Sequence, residues 1–281
     1  MPRQVEVWLP DGFENGREHY PVLYMHDGQN VFNPETSTLK IPWAVDKAME
    51  RLTQEQKVRP AIVVASWCTD KRTREYMPQA PLEQPENASL RDAFIKHFGA
   101  APISDGYLRF LVEELKPWVD DHYRTLPDPA HTFIMGSSMG GLISLYALCR
   151  YPNVFGGAGC ISTHWTIGAG LTHGFAPDGV WRIQPYHAMS NNALIAYFSA
   201  HLPAPGTHKI YFDLGTAGLD EFYPPWQVQM DAHMRTAGYT EYVNWLTNAF
   251  PGEHHNEAAW RDRVHVPLQF LLGTDSDTVK A

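Results

Sequence analysis

The chain has 281 residues, 44% of them hydrophobic and 19% charged, with three cysteines, fourteen histidines and a formal net charge of −9. That size and balance fit one soluble α/β domain with a large core. The acidic charge argues against nucleic acid as a partner, because phosphate binding needs a basic surface. No run approaches the roughly 18 apolar residues of a membrane span, so no membrane partner is expected. Cys68, Cys149 and Cys160 are odd in number and lack C-x-x-C spacing, which speaks against a disulfide framework. The histidines form no H-E-x-x-H or similar ligand set, so neither a metal nor a cofactor is expected.

Residues 5–9 alternate as a strand does and end in a Pro10-Asp11-Gly12 turn. The first residues show no signal-peptide apolar stretch. The expected compartment stays open: soluble and cytoplasmic as the chain stands, periplasmic or secreted if a leader has been removed. Residues 20–25 read as a buried strand running into the polar loop His26-Asp27-Gly28-Gln29-Asn30, and residues 45–52 as a helix. Residues 61–65 are fully apolar and β-branched, like a central parallel strand. Residues 70–104 carry prolines, charges and little periodicity, and are expected to be an irregular insertion over the site with a short helix near 90–98. Apolar spacing predicts a helix over 107–119 that Pro117 kinks or ends.

Strand-like residues then precede Ser138, helix-compatible residues 141–150 follow it, and residues 155–161 read as the next strand. A second irregular stretch, 163–190, holds Trp165, Trp181 and Tyr186. Residues 209–214 form a strand, 225–237 a helix, 242–246 a final strand, and 257–263 a helix that stops there or continues toward 272. Alternating strand and helix predicts a mostly parallel central sheet with helices on both faces. No repeat or linker divides the chain, so residues 1–281 are expected to form a single domain.

Gly136-Ser137-Ser138-Met139-Gly140 fits G-x-S-x-G. Strand before and helix after are the setting in which this pattern becomes a nucleophile elbow of the α/β-hydrolase fold. The backbone N–H of Met139 then lies at a helix N-terminus, where it can stabilise an oxyanion. The fold's chain order is nucleophile, acid, histidine, each after a strand. His254 and His255 both follow the last predicted strand. Asp213 sits inside the preceding strand, whereas Asp220 and Glu221 lie in the loop beyond it; Asp220 is the first choice for the acid and Glu221 the reserve. A second oxyanion donor should come from the loop after residues 20–25. Gly28 permits its tight path, and the N–H of Gln29 is the candidate donor. His26 is read as a hydrogen-bonded structural residue.

The Val22–Phe32 run with its H-D-G-Q-N loop, the hexapeptide Gly136–Gly141 and the Glu253–Trp260 segment together resemble the esterase family of α/β hydrolases. That family includes esterase D-like enzymes, feruloyl and acetylxylan esterases of carbohydrate esterase family 1, and enterochelin esterases. The resemblance implies Ser138 as nucleophile and selects His255 over His254. Its simplest pattern would put the acid at Gly218, which cannot serve, so Asp220 becomes the match.

His164, Trp165 and Trp67 each follow a predicted strand, and with Gly28 they are expected to line the substrate pocket, where aromatic faces suit a sugar or feruloyl ring. Arg72, Arg74 and Tyr76, in the 70–104 insertion, are candidates to meet a polar or anionic substrate group but are read chiefly as exposed, solubilising residues. The expected activity is serine carboxylic-ester hydrolysis through an acyl-enzyme, on small acyl esters or on acetyl or feruloyl groups of carbohydrate. The alternatives are a siderophore or S-formylglutathione esterase on the same machinery and, from another class, a non-catalytic binding module. The sequence leaves the oligomeric state open.

Overall fold

The computed structural model describes residues 3–165, 186–206 and 208–274. Among them, seven strands form one sheet: β1 (Val5–Trp8), β2 (Val22–Met25), β3 (Ile62–Ser66), β4 (Thr132–Ser137), β5 (Gly157–Ile161), β6 (Lys209–Gly215) and β7 (Trp245–Phe250). Their spatial order is β1-β3-β2-β4-β5-β6-β7. β1 runs antiparallel to β3, and every other neighbouring pair is parallel. The mostly parallel α/β sheet expected from the sequence is thus present.

β2, β3 and β4 are buried along their whole length, which is why they read as continuous apolar runs. Alternate side chains feed two cores. Val22, Tyr24, Val64 and Ile134 pack on one face with Leu142 and Leu145 of the helix Met139–Arg150. Leu23, Met25, Val63 and Phe133 pack on the other with Val45 and Met49 of the helix Val45–Gln54 and Leu268 of the helix His265–Leu272.

Several elements differ from expectation. Residues 70–104 are mostly helical, with helices Arg72–Tyr76, Gln79–Glu83 and Ala88–Phe98. Tyr76, Leu82 and Phe94 from this segment enter the core. Five-residue helices are too short to display a 3.6-residue period, so the sequence reads there as irregular. Pro117 does not end its helix: a π-helical stretch, Phe110–Leu115, leads into Lys116–His122 with proline at its first turn, where a missing N–H is tolerated. The last strand is Trp245–Phe250 rather than 242–246, and Tyr242 and Val243 are exposed. Of the second irregular stretch, residues 166–185 lie outside the described residues, Trp181 among them, and the helix Tyr186–His201 begins before its predicted end.

Candidate active site

The site assembles where the parallel strands end. β4 runs into Ser138, which caps the helix Met139–Arg150 with φ 58° and ψ −123°. That region costs a non-glycine residue about 1–3 kcal/mol. The turn is over-determined by its bonds. The Ser138 N–H donates to the Ile161 carbonyl at 2.8 Å, while the Ser138 carbonyl accepts from His164 N–H at 3.1 Å and Leu142 N–H at 3.2 Å. A Cβ on Gly136 would come within 2.9 Å of the Gly140 backbone, so the small residues of the motif let strand and helix meet.

β6 ends at Gly215, and the 3-10 turn Gly218–Phe222 carries Asp220, which is fully buried. Glu221, beside it, is exposed. Past β7, His255 is half-buried and His254 is exposed. Asn256 N-caps the helix Glu257–Arg263 by accepting from Ala259 N–H at 3.0 Å, which fixes the chain just beyond His255. His255 Nδ1 lies 2.5 Å from Asp220 Oδ1. A carboxylate can only accept, so Nδ1 carries the proton and Nε2 is left as the basic nitrogen. Burial alone would raise the Asp220 carboxyl. Hydrogen bonds from His255, Ser162 and the Gly215 N–H, together with the His255 charge, outweigh it and hold the group below its ordinary value.

The two ends of this arrangement are tied by His164. Its backbone bonds the Ser138 carbonyl, its Nδ1 lies 2.8 Å from the Tyr223 hydroxyl, and its ring centroid is 6.4 Å from that of His255. Tyr223 and Trp260 set their rings edge-on to His255 at 5.8 and 5.0 Å.

The loop after β2 reaches the same place. His26 N–H bonds the Met135 carbonyl at 3.0 Å, and a Cβ on Gly140 would meet Asp27 and His26 at about van der Waals distance. Asp27 sits in the left-handed region at φ 55° and opens the short turn Gly28–Asn30. Gly28 has no room for a side chain, since a Cβ would lie 2.6 Å from the Ala65 carbonyl oxygen and 2.8 Å from the Trp67 ring. The Gln29 amide is engaged with Cys68: its nitrogen donates to Sγ at 3.0 Å and its oxygen accepts the Cys68 N–H at 3.2 Å. The side chain is thereby pinned, and the candidate donors at the site are the backbone N–H groups of Gln29 and Met139. Each belongs to the first turn of a helical segment, where N–H groups have no intrahelical acceptor.

His26 is buried, and burial pushes it down to about 3. With Nδ1 2.7 Å from the Tyr107 hydroxyl, it is a neutral structural group and no rival to His255.

Two sequence expectations change. Trp165 does not line a pocket. It is fully buried against Phe198 and Phe212, with its indole N–H on Gln227 at 3.1 Å. The chain directs His164 toward the site and its neighbour into the core. Arg72 is not a free surface charge, because its guanidinium grips Asp27 through Nε at 2.6 Å and Nη2 at 2.8 Å. Tyr76 is likewise buried and accepts the Asp27 N–H at 3.0 Å. Trp67 is half-buried beside Gly28, its indole N–H on Glu6 at 2.9 Å.

A layer that sequence reasoning missed lies behind Asp220. Asp213 and Arg263 are both buried and paired at 3.1 Å, and Ser162 bridges Arg263 to Asp220. Burial pushes the Asp213 carboxyl up, with Arg263 acting against it. Among the described residues, no group of three or more His, Cys, Asp or Glu side chains is placed to hold a metal ion, and no helix is long and apolar enough to cross a membrane.

The family described as "Putative esterase" matches residues 1–269. The uncharacterized protein YbbA of Bacillus subtilis (strain 168) is 27% identical over 284 residues, spanning 99% of this chain and 95% of its own. The ferri-bacillibactin esterase BesA of the same strain is 32% identical over 155 residues, which take in 52% of this chain and 49% of that esterase. Among solved structures, a ferulic acid esterase superposes with a TM-score of 0.63 at 19% identity, over 96% of this chain and 92% of its own. The enterobactin esterase FES from Shigella flexneri superposes with a TM-score of 0.60 at 18% identity, over 96% of this chain and 55% of its own. These structures share the α/β-hydrolase fold with this chain.

Proposed function

We propose a mechanism from one premise: the chain belongs to the Putative esterase family, so its chemistry is the hydrolysis of carboxylic esters. In our reading Ser138 is the nucleophile, His255 the general base and acid, and Asp220 the group that orients His255 and stabilises its imidazolium. The observation that carries this reading is the 2.5 Å contact of His255 Nδ1 with Asp220, formed at the same sheet end as the strained Ser138.

Ser138 Oγ attacks the ester carbonyl carbon while His255 Nε2 takes its proton. The negative oxygen that develops is held by the N–H groups of Met139 and Gln29. The tetrahedral species collapses, the carbon–oxygen bond to the alcohol breaks, and the alcohol leaves with the proton from His255. Water then attacks the acyl carbonyl carbon while His255 takes its proton; the second tetrahedral species collapses, the bond to Ser138 Oγ breaks, and His255 returns the proton to Oγ as the carboxylic acid leaves. Gly28, Trp67 and His164 border the substrate, and the sheet with the 70–104 helices acts as one catalytic domain.

For substrate we propose small acyl esters or acyl groups carried on carbohydrate, which the half-buried indole of Trp67 suits. A siderophore ester is the second reading, supported by the similarity to a ferri-bacillibactin esterase. Ser138→Ala should abolish hydrolysis of a nitrophenyl acetate and labelling by a fluorophosphonate; turnover retained in that variant refutes the mechanism. Folded wild type that is never labelled points instead to a binding module. Rates on acetylated xylan, methyl ferulate, a catecholate trilactone and S-formylglutathione, measured side by side, decide the substrate.

A further inference from the structure

We propose that Arg263 is a positioning residue for the catalytic pair: acting through Ser162 and anchored by Asp213, it fixes which oxygen of Asp220 meets His255 and balances the charge behind it. This rests on the Ser138–His255–Asp220 reading above.

Arg263 lies at the end of the short helix whose N-cap follows His255, and its side chain is only 4% exposed. Its Nη2 donates to Ser162 Oγ at 2.6 Å and to Asp213 Oδ1 at 3.1 Å, and its Nε to Asp213 Oδ2 at 3.3 Å. Ser162 is buried and left-handed at φ 42°, with its N–H on Asp213 Oδ1 at 3.0 Å. Its hydroxyl also accepts the indole N–H of Trp260 at 3.0 Å. A hydroxyl has two lone pairs and one proton. With two donors arriving on the oxygen, the proton is directed to the remaining neighbour, Asp220 Oδ2, at 2.6 Å. Oδ2 also accepts the Gly215 N–H at 2.6 Å. One carboxylate oxygen is thus occupied from the protein side, and Oδ1 is left facing His255. Arg263 therefore sets the direction of a proton it does not touch.

The charges have a matching logic. Two buried carboxylates and one buried guanidinium carry a net charge of −1, and protonation of His255 in the transition state brings the cluster to zero. The guanidinium, 3.8 Å from Asp220 Oδ2, favours the ionised form of both carboxylates in a place that would otherwise hold two uncompensated negative charges. Beside His255 on the other elements lie the rings of Tyr223, just ahead of the helix Pro224–Thr236, at 5.8 Å and of His164, after β5, at 6.4 Å.

The test is the pH profile of kcat/KM on a nitrophenyl acetate for wild type, Arg263→Met, Arg263→Lys and Asp213→Asn, with near-UV circular dichroism to establish folding. Removing the positive charge favours the imidazolium, so Arg263→Met should move the acid limb to higher pH by about half a unit or more. Asp213→Asn removes one of the two negative charges, so the guanidinium is balanced by Asp220 alone, the imidazolium loses support, and the limb should move down by a similar amount. Arg263→Lys retains the charge but loses the fork, so the limb stays while kcat falls at least about tenfold. Limbs that do not move, or that move the same way in Arg263→Met and Asp213→Asn, overturn the proposal. Should Arg263→Met not fold, Asp213→Asn and Arg263→Lys decide it, and any outcome other than a lowered limb with an unmoved one overturns it. Fluorophosphonate labelling of the wild type and its loss in Ser138→Ala stand apart from these shifts. Their failure refutes the serine mechanism, whereas labelled enzyme with unmoved limbs refutes only the role of Arg263.

Discussion

Replacing Arg72 by methionine keeps an unbranched apolar stem and deletes the guanidinium that holds Asp27. The Asp27 side chain is 9% exposed and that of Arg72 33%, and the pair meets through two short contacts. Stranding one partner of a buried pair costs about 3–5 kcal/mol. Water reaching the exposed third of Arg72 screens part of this, so about 2–3 kcal/mol is expected. For a chain of this size that is a drop in Tm of roughly 3–5 °C. The loss has a defined pH dependence. Burial alone would raise the Asp27 carboxyl, but Arg72, by charge and by hydrogen bond, holds it below its ordinary value of 3.8. A carboxyl depressed on folding contributes its full stability above its unfolded value and loses it as pH falls through the folded one. The gap between wild type and variant should therefore be widest at neutral pH and narrow below about pH 4. Because Asp27 opens the turn that carries Gln29, kcat should fall as well. Thermal melts at pH 7 and near pH 3.5, with kcat/KM at pH 7, measure all three effects. A Tm within about 1 °C of wild type at pH 7, or a gap that is equally wide in acid, would refute the argument.

Asp220→Asn presents an amide that can donate to His255 and reverse its tautomer; kcat should fall by about three to four orders of magnitude with little change in KM, as read by steady-state nitrophenyl ester hydrolysis. Gly28→Ala forces a methyl to within 2.6 Å of the Ala65 carbonyl, so the turn shifts and kcat drops in the same assay while the protein stays folded by circular dichroism. Trp165→Ala opens a core cavity costing about 3–5 kcal/mol by urea denaturation with KM unchanged at a permissive temperature, whereas His164→Ala, at the site itself, raises KM. Asn256→Ala removes a helix cap and should lower stability by about 1 kcal/mol in urea melts.

The fold was legible where burial writes itself into the chain. β2, β3 and β4 are apolar on both faces, and the turn after β4 announces itself through Gly136, Ser138 and Gly140. The order of elements pointed to Asp220 and to His254 or His255, each just after a strand end, and the family resemblance selected His255, the one that meets Asp220. Edge strands are less readable. β7 includes Thr247 and Asn248, so the more apolar neighbours Tyr242 and Val243 drew the prediction away from it. Adjacent residues on irregular backbone carry no period, so nothing in the sequence distinguishes His164, at the site, from Trp165, in the core. Charged residues mislead in one direction. Arg72 and Arg263 look like solvated positions on short helices, and only the approach of Asp27, Asp213 and Ser162 from distant segments shows that both are structural.

The order of strands also has a consequence in time. Ser138 follows β4 at the middle of the sheet, while Asp220 and His255 follow β6 and β7, and among the described residues β7 pairs with β6 alone. During synthesis the elbow leaves the ribosome before the histidine proposed as its base, so in our reading the nascent chain carries a serine that His255 cannot deprotonate until β7 docks. In the mature protein the same order runs backwards. Mild denaturant that frays the β7 edge withdraws His255 while the central strands stay intact, and activity is lost ahead of the bulk circular-dichroism signal.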